Sequence, residues 1–262
     1  MRNLPPVTKN LLIINFIFWL ATIVFDRYGL DLNHYFGLHY ITASDFHFWQ
    51  PLTYMFMHAG FSHLFFNMFA VMMFAPALEQ RWGSQRFLIY YLVTGLGAAV
   101  VQEAVWAIQL QPVLASLDPM MAASLANRVV TIGASGAVFG ILLAFGWLFP
   151  EVRMFIMFIP IPIRARTLVI IYALIELFSG IAPSAGDNVA HFAHLGGMIF
   201  GWLLILWWRH RGYDGFDSTP WNEGNFKRWL KEKWEKLFPG KHPRINRDKD
   251  NDYRDYHYHE PL

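Results

Sequence analysis

Six long runs of apolar residues restrict the fold of this chain more than any other feature of its sequence. Only 15% of its 262 residues are charged, against about 25% in a typical soluble domain. A helix needs about 20 mostly apolar residues to cross the hydrocarbon core of a bilayer, where an open sheet would leave backbone groups unpaired. The sequence therefore predicts an all-α polytopic membrane protein with six transmembrane helices. The predicted spans cover residues 11–25, 61–78, 87–108, 132–149, 167–181 and 189–208.

The stretch of residues 109–130, between the third and fourth spans, is also partly apolar. Its apolar residues are interrupted by Pro112, Asp118, Pro119 and Arg128. We interpret this stretch as an extended loop at the membrane interface and not as a seventh span.

Lys and Arg residues are distributed unevenly between the two sets of loops. The loops on the side of both termini contain nine of them, and the opposite loops contain only Arg27 and Arg128. Because positive charge favours the cytoplasmic side, we expect a multi-pass protein of the plasma or inner membrane with both termini in the cytoplasm. Residues 1–10 then form a short cytoplasmic N-terminus. No small-residue cleavage pattern follows the first run before Asp26, so we interpret this run as a retained helix.

Residues 209–262 form a predicted cytoplasmic tail of different character. Within it, residues 225–238 place five apolar side chains on one helical face and basic residues on much of the remainder. Such a helix lies on an anionic membrane surface or packs on the cytoplasmic face of the bundle, and the sequence leaves both alternatives open. The end of the tail is charged and lacks an apolar period, so we expect it to be disordered. Its histidines do not predict a metal site.

Cysteine content and net charge exclude several classes of function. The chain has no cysteine, which removes disulfides, thiol nucleophiles and Cys-ligated metals. Its net charge of +2 is too small to indicate a nucleic-acid partner. The expected surroundings are membrane lipids.

Polar residues inside the predicted spans indicate a functional site, because strongly polar groups in the hydrocarbon core are costly. The second span begins with His63 and Asn67, the fourth with Ser135, and the sixth with His191 and His194. These spans run in the same direction, and each polar residue lies within about two turns of the start of its span. All five residues therefore lie at similar depth. If the three spans are neighbours, one site contains a hydroxyl, imidazole and further donors.

These residue types suit acyl transfer to serine followed by hydrolysis. A serine hydroxyl becomes a nucleophile when an adjacent imidazole accepts its proton. Gly133 and Gly136 lie close to Ser135 and leave room for exposure of its Oγ atom. The Ser135 amide lies in the first turn of a helix and can donate to a developing oxyanion. The polar residues of the second span can add donors, and by depth either histidine of the sixth span can be the base.

Each of these residues, taken alone, also has a less specific explanation. Small residues around a serine are common at helix contacts in membranes, and His63 and Asn67 can join helices by hydrogen bonds. His58 and the histidines of the spans are numerous enough for a metal site, but no helix contains His-Glu-x-x-His. A transporter would carry several charged groups near the midplane. Glu176 is the one good midplane candidate, which can equally be a paired structural carboxyl group, and Glu103 lies late in the third span.

Over residues 10–208 the chain resembles the rhomboid family of intramembrane serine proteases. The resemblance implies a six-transmembrane-helix rhomboid-like bundle, with a protease domain over residues 11–208. The motifs that carry it are Gly133-Ala-Ser-Gly136, Ala193-His194-x-x-Gly197-x-x-x-Gly201, His58 followed by His63-x-x-x-Asn67, and Glu79-x-Arg81-x-Gly83.

The resemblance also implies a role for each matching residue. Ser135 is the nucleophile and His194 the general base, in a dyad without an aspartate. His63, Asn67 and the Ser135 amide form the oxyanion hole. Phe139 matches an aromatic residue, often tyrosine, that packs on the catalytic imidazole. The substrate is the transmembrane segment of another membrane protein, and neither a metal nor an organic cofactor is implied.

The glycine spacing distinguishes the two histidines of the sixth span. The family places glycines three and seven residues after the catalytic histidine, which fits His194 and does not fit His191. His191 therefore has a supporting role. Gly197 and Gly201 are expected to let the sixth span pack closely on the fourth.

The first external loop of this chain differs from that of many relatives. Many relatives have Trp-Arg in the first external loop where this chain has Trp49-Gln50, so the contacts of that arginine must differ here. The loop of residues 181–188 lies beside the predicted site, and we expect it to act as a cap that admits substrate and water.

The alternative function is that of a non-catalytic rhomboid-like protein that binds or escorts transmembrane helices, although such a protein would typically lack the serine or the histidine. The sequence predicts no particular oligomeric state.

Overall fold

A computed structural model describes residues 4–156, 159–182 and 190–212 of the chain. The described part is mostly helical. Two short antiparallel pairs join β1 (Leu38–His39) to β2 (Val130–Thr131) and β3 (Arg153–Ile156) to β4 (Ile159–Arg164). The helices are α1 (Pro6–Asp26), α2 (Leu32–Phe36), α3 (Gln50–Thr53), α4 (Phe61–Trp82), α5 (Ser84–Ala115), α6 (Pro119–Arg128), α7 (Ser135–Leu148), α8 (Ala165–Ile181) and α9 (His191–His210).

Four of the described helices, α1, α4, α5 and α9, are long and apolar enough to cross a membrane. Helices α7 and α8 contain 14 and 17 residues. Large apolar side chains are exposed on α1 and α8, including Ile17 and Phe178, and such surfaces are stable in lipid and not in water. The prediction of an all-α polytopic membrane protein is confirmed. The number of six spans stays a prediction.

Helix α9 packs closely on α5 and α7 through glycine residues. A Cβ atom on Gly197 would overlap the backbone carbonyl of Gly136 in α7, and one on Gly196 would meet Val101 of α5 at 2.7 Å. Only glycine permits this approach of the two backbones. The first turns of α7 and α9 are thereby brought together.

Gly201 has a different partner from the predicted one. It lies against Tyr90 and Thr94 of α5, and the expectation that it packs on the fourth span is wrong. The Tyr90 hydroxyl, against which Gly201 lies, donates to the Gly140 carbonyl of α7 at 2.8 Å. A side chain of α5 therefore lies between Gly201 and α7.

Glu79 fixes the end of α4 that lies away from the polar residues of its first turns. Its carboxylate accepts hydrogen bonds from the amides of Val7 (2.9 Å) and Thr8 (2.7 Å) and from the hydroxyl of Ser84. It therefore satisfies amides at the start of α1 that have no partner within the helix. Gly83, with φ of +78°, makes the tight turn into α5. This part of the rhomboid-like motif joins three helices.

Residues 109–130 are mostly helical, and the interpretation as an extended loop is wrong. Helix α5 continues to Ala115 and contains Pro112 near its end. Asp118 then caps α6 by accepting hydrogen bonds from the amides of Met120 (3.1 Å) and Met121 (3.0 Å). An Asp followed by Pro is a helix-start signal, so the sequence contained the information for this helix.

Several predictions lie outside the described residues. They include the amphipathic helix of residues 225–238, the disordered end of the tail and most of the cap, because residues 183–189 and 213–262 are not described.

Candidate active site

The structure brings Ser135 and His194 into direct contact. Ser135 is the first residue of α7, and His194 lies in the first turn of α9. The Nε2 atom of His194 lies 2.7 Å from the Oγ atom of Ser135. With the ring proton on Nδ1, Nε2 accepts a hydrogen bond from the serine hydroxyl. A hydroxyl and its base are thus within the distance that proton transfer requires.

Gly133 shapes the approach to Ser135. Its φ of +128° is unfavourable for residues with a side chain, and a Cβ atom there would meet the His63 ring at 2.7 Å. The Gly133 amide donates to the Tyr54 carbonyl at 2.9 Å. This bond holds the segment that leads into α7. The glycine therefore lets the His63 imidazole lie beside the serine.

Phe139, one turn after Ser135, stacks on the His194 imidazole. The ring centroids are 4.4 Å apart and the planes differ by 10°. The other neighbour of Phe139 is Tyr172 of α8, which meets it edge to face at 6.1 Å. Stacking of this kind restricts the orientation of the histidine ring.

His63 and Asn67 line the same cavity as Ser135. The Ala59 amide donates to His63 Nδ1 at 3.4 Å, so we assign the ring proton to Nε2, on the side of Gly133. One amide hydrogen of Asn67 is used by the His63 carbonyl at 2.9 Å, and the Asn67 side chain has a second. The Ser135 amide, in the first turn of α7, has no acceptor within the helix. Three donors are therefore available around the serine.

A cavity of about 920 Å³ lies in front of Ser135, between α4, α7 and α8. It is large enough for several residues of an extended peptide. Apart from the site residues its walls are largely apolar. They include Phe66, Phe69, Met73 and Phe74 of α4, Leu142 of α7, and Leu168 and Tyr172 of α8.

Glu176 of α8 contacts both histidines of α9, which the sequence analysis did not predict. Its Oε2 atom accepts hydrogen bonds from the Nδ1 atoms of His191 (2.7 Å) and His194 (2.8 Å). The sequence predicts only a midplane group or a paired structural carboxyl group at this position. The order of the helices gives a partial signal for this contact. Glu176 lies in the last two turns of α8, and the histidines lie in the first turn of α9, the next helix in the chain.

His58 packs against His63 and is not among the residues that line the cavity in front of Ser135. It is buried, its Nδ1 atom donates to the Phe56 carbonyl at 3.3 Å, and its ring lies 5.0 Å from the His63 ring. Burial, reinforced by the neighbouring His63, lowers the pKa of His58 to about 4. The ring is therefore neutral at pH 7 and packs against His63 without repelling it.

Gln50 stabilises the segment between α1 and α4, at the position where many relatives are expected to have arginine. It is completely buried and bonds three backbone groups. Its Oε1 atom accepts from the His39 amide (3.3 Å), and its Nε2 atom donates to the carbonyls of Tyr35 (3.3 Å) and Asp45 (2.8 Å). The amide side chain thus closes this loop without a positive charge.

Two clusters in the described part of the chain have the composition of a metal site. One is Glu176 with His191 and His194, and the other is His34 with His39 and Asp45, between α1 and α4. In the first cluster both imidazoles already donate to the carboxylate. In the second, His34 bonds Asp45 at 2.9 Å. In each cluster, members therefore bond to one another.

These observations define a class of protein. Long apolar helices enclose a serine hydroxyl that is bonded to an imidazole at the edge of an apolar cavity. The sequence matches the Rhomboid domain over residues 45–211. The chain belongs to the rhomboid family and is an integral membrane protein.

Rhomboid proteins of a bacterium and a plant are similar in sequence to this chain. The chain is 30% identical over 156 residues to rhomboid protease GluP of Bacillus subtilis, covering 59% of this chain and 25% of that protein. It is 28% identical over 174 residues to the mitochondrial RHOMBOID-like protein 6 of Arabidopsis thaliana, covering 65% and 48%. It is 28% identical over 209 residues to the chloroplastic Rhomboid-like protein 11 of the same plant, covering 73% and 64%. The chain thus spans about half or less of the first two relatives.

Proposed function

We propose that this chain is an intramembrane serine endopeptidase that cleaves transmembrane segments of other membrane proteins. The observation that carries the proposal is the 2.7 Å hydrogen bond between His194 Nε2 and Ser135 Oγ. The name of the bacterial relative, rhomboid protease GluP, supports the same activity.

The first half of the reaction acylates Ser135. Its Oγ atom attacks the scissile carbonyl carbon while its proton passes to His194 Nε2. The developing oxyanion is stabilised by the Ser135 amide and by the donors of His63 and Asn67. When the tetrahedral intermediate collapses, the C–N bond breaks and His194 returns the proton to the amine that leaves.

The second half of the reaction releases the acyl group by hydrolysis. Water gives a proton to His194 and attacks the ester carbonyl, and the same donors stabilise the second oxyanion. Collapse of this intermediate breaks the bond to Oγ, releases a carboxylic acid and returns the proton to Ser135. The chain's own residues and water account for every proton in the cycle.

The cavity supports a membrane-embedded segment as the substrate. Its apolar walls suit the side chains of a membrane-embedded segment. A peptide carbonyl inside a regular helix is shielded by its own turn, so the scissile segment must be extended before Ser135 can attack it. We therefore expect cleavage near small or helix-breaking residues at one end of the substrate's span.

The charge distribution of the loops supports one orientation in the membrane. Nine Lys and Arg residues lie on the side of the termini, which supports cytoplasmic termini and a site near the outer face of the plasma or inner membrane. The loop of residues 181–188 would then cap the site from outside. A crosslink between this loop and the first external loop is expected to abolish cleavage, and unchanged turnover would contradict the cap.

The proposed function is tested by cleavage of a reporter in liposomes. The reporter is a single-span protein with a Gly-Ala-Pro segment near one end of its span. Wild type is expected to cleave it, Ser135→Ala is expected to be inactive, and Ser116→Ala, a control at a serine outside the cavity, is expected to cleave at the wild-type rate. Binding of the reporter by wild type without cleavage would favour the alternative, a non-catalytic protein that binds transmembrane helices.

A further inference from the structure

We propose that Glu176 is a positioning residue of this site, so that Ser135, His194 and Glu176 act as a triad. The family resemblance implies a dyad without an aspartate, and nothing in it assigns a third group. The inference rests on the proposed function, because the triad has a meaning only if Ser135 is acylated.

The two bonds of the His194 ring lie on its two different nitrogens. Nδ1 lies 2.8 Å from Glu176 Oε2, and Nε2 lies 2.7 Å from Ser135 Oγ. An ionised carboxylate can only accept hydrogen bonds, so it requires the ring proton on Nδ1. The lone pair of Nε2 then points at the serine hydroxyl. Glu176 thus selects the one neutral tautomer in which His194 can act as a base.

The carboxylate also stabilises the charge that forms during the reaction. When His194 takes the proton of Ser135, the ring becomes an imidazolium ion beside the negative charge of Glu176. The side chains of Glu176 and His194 are each only 9% exposed. Attraction between opposite charges is stronger in such a water-poor setting than in bulk water. This stabilisation is absent from the ground state, in which His194 is neutral, and is gained as the transition state forms.

His191 also holds the carboxylate in place. Its Nδ1 atom donates to the same Oε2 atom at 2.7 Å. The carboxylate therefore has a fixed position and a second donor that partly replaces its lost hydration. This arrangement gives His191, the supporting histidine of the sequence analysis, a physical role.

The fold places the carboxylate by close packing of α8 on α9. A Cβ atom on Gly180 would meet the Phe192 ring at 2.9 Å, so a glycine near the end of α8 permits the approach. Phe139 stacks on the His194 ring. The imidazole is therefore held by a carboxylate at one nitrogen, by the serine at the other, and by an aromatic ring on its face.

The first test compares Glu176→Gln with Glu103→Gln, the same substitution at a carboxyl group of α5 whose Oε2 atom accepts from the Ile41 amide at 3.0 Å. Glutamine keeps the size of the side chain and removes its charge. For Glu176→Gln, kcat for the reporter is expected to fall about 100-fold or more, because loss of the triad carboxylate lowers kcat strongly in other serine proteases. KM is expected to stay within about twofold, because the acceptor does not touch substrate. Glu103→Gln is expected to retain wild-type kcat.

The second test measures the tautomer of His194 directly and does not depend on any Glu176 variant. In protein labelled with ¹⁵N-histidine, NMR is expected to show the His194 proton on Nδ1, with the signal assigned by its loss in His194→Asn. This result would show that the lone pair of Nε2 faces Ser135, and the kcat comparison of the first test then shows whether catalysis depends on Glu176. If Glu176→Gln folds, its His194 is expected to move toward the Nε2–H tautomer, since a glutamine amide can donate to Nδ1.

The outcomes separate this inference from the proposed function. Wild-type kcat in a folded Glu176→Gln protein, or an Nε2–H tautomer in wild type, would overturn the triad and leave Ser135 as the nucleophile. Equal loss of kcat in Glu176→Gln and Glu103→Gln would show a general effect of removing a carboxylate from these helices, which also overturns it. Cleavage that persists in Ser135→Ala would overturn the proposed function itself.

Discussion

His194 Nε2 lies 2.7 Å from Ser135 Oγ, although 59 residues separate the two in the chain. The contact depends on the close approach of α7 and α9, which the overlap of any Gly197 side chain with Gly136 makes specific to glycine. A hydroxyl, its base and the amide of a helix start are thereby held together at one end of the helices. The chemistry of the site therefore depends on the close packing of these two helices.

Removal of a donor near Ser135 is expected to slow cleavage without abolishing it. His63→Ala and Asn67→Ala should each lower kcat by about 100- to 1000-fold, the usual effect of losing one oxyanion donor. Reporter cleavage in liposomes measures this. Wild-type rates in both variants would exclude the two side chains from the mechanism.

The stacking of Phe139 on His194 is expected to contribute to the rate. Phe139→Ala removes the ring that lies 4.4 Å from the imidazole and should lower kcat up to about tenfold, since such contacts are worth about 0.5–1.5 kcal/mol. Phe139→Tyr keeps the ring and serves as the control, with kcat near wild type. Equal kcat for the Ala and Tyr variants would show that the stack does not orient the base.

A side chain at Gly197 is expected to separate α9 from α7. Gly197→Ala would overlap the Gly136 carbonyl and should cost about 1–3 kcal/mol of stability. Thermal unfolding in detergent should show a lower Tm together with lost cleavage. Gly60→Ala is the control, because a Cβ atom there has no neighbour within 4 Å. A wild-type Tm and rate in Gly197→Ala would contradict the packing described here.

The buried ring of His58 is expected to make the fold less stable in acid. Burial lowers the pKa of His58 from 6.5 to about 4, so between these values the unfolded chain binds the proton and the folded chain does not. The free energy of unfolding should therefore fall as the pH drops from 6.5 toward 4, by up to about 3 kcal/mol from this group. Above pH 6.5 the group contributes no pH dependence.

A neutral residue at position 58 measures this contribution. The Tm of wild type in detergent should decrease more between pH 6.5 and pH 4 than that of His58→Gln. Parallel decreases in the two proteins would assign the acid sensitivity to other groups, such as His39, whose pKa burial also lowers.

Much of the fold could be predicted from the sequence, because long apolar runs have few structural solutions in a bilayer. Depth alone placed Ser135 with both His191 and His194, and the glycine spacing of the family was needed to choose between them. The predicted loop treats Asp118 and Pro119 as interruptions, whereas in the structure they start helix α6. The partner of Gly201 could not be predicted, since the spacing of two glycines does not show which neighbouring helix each one meets.

The contact between Glu176 and His194 could not be predicted from sequence motifs. No motif joins the two residues, and the contact arises from the angle and closeness at which α8 meets α9. A carboxyl group in a span was recognised as costly, but its partner depended on side-chain directions at a helix junction. Such directions are set by packing, as between Gly180 and Phe192, and are not visible in hydrophobic patterns.

The most direct measurement of the central claim is labelling of the purified protein in detergent with a small fluorophosphonate, followed by mass spectrometry of the adduct. An activated serine is expected to react, so wild type should carry the label on Ser135, Ser135→Ala should carry none, and His194→Asn should react far more slowly. Absence of label in folded wild-type protein, or label that persists in Ser135→Ala, would contradict the account of Ser135 as a nucleophile activated by His194.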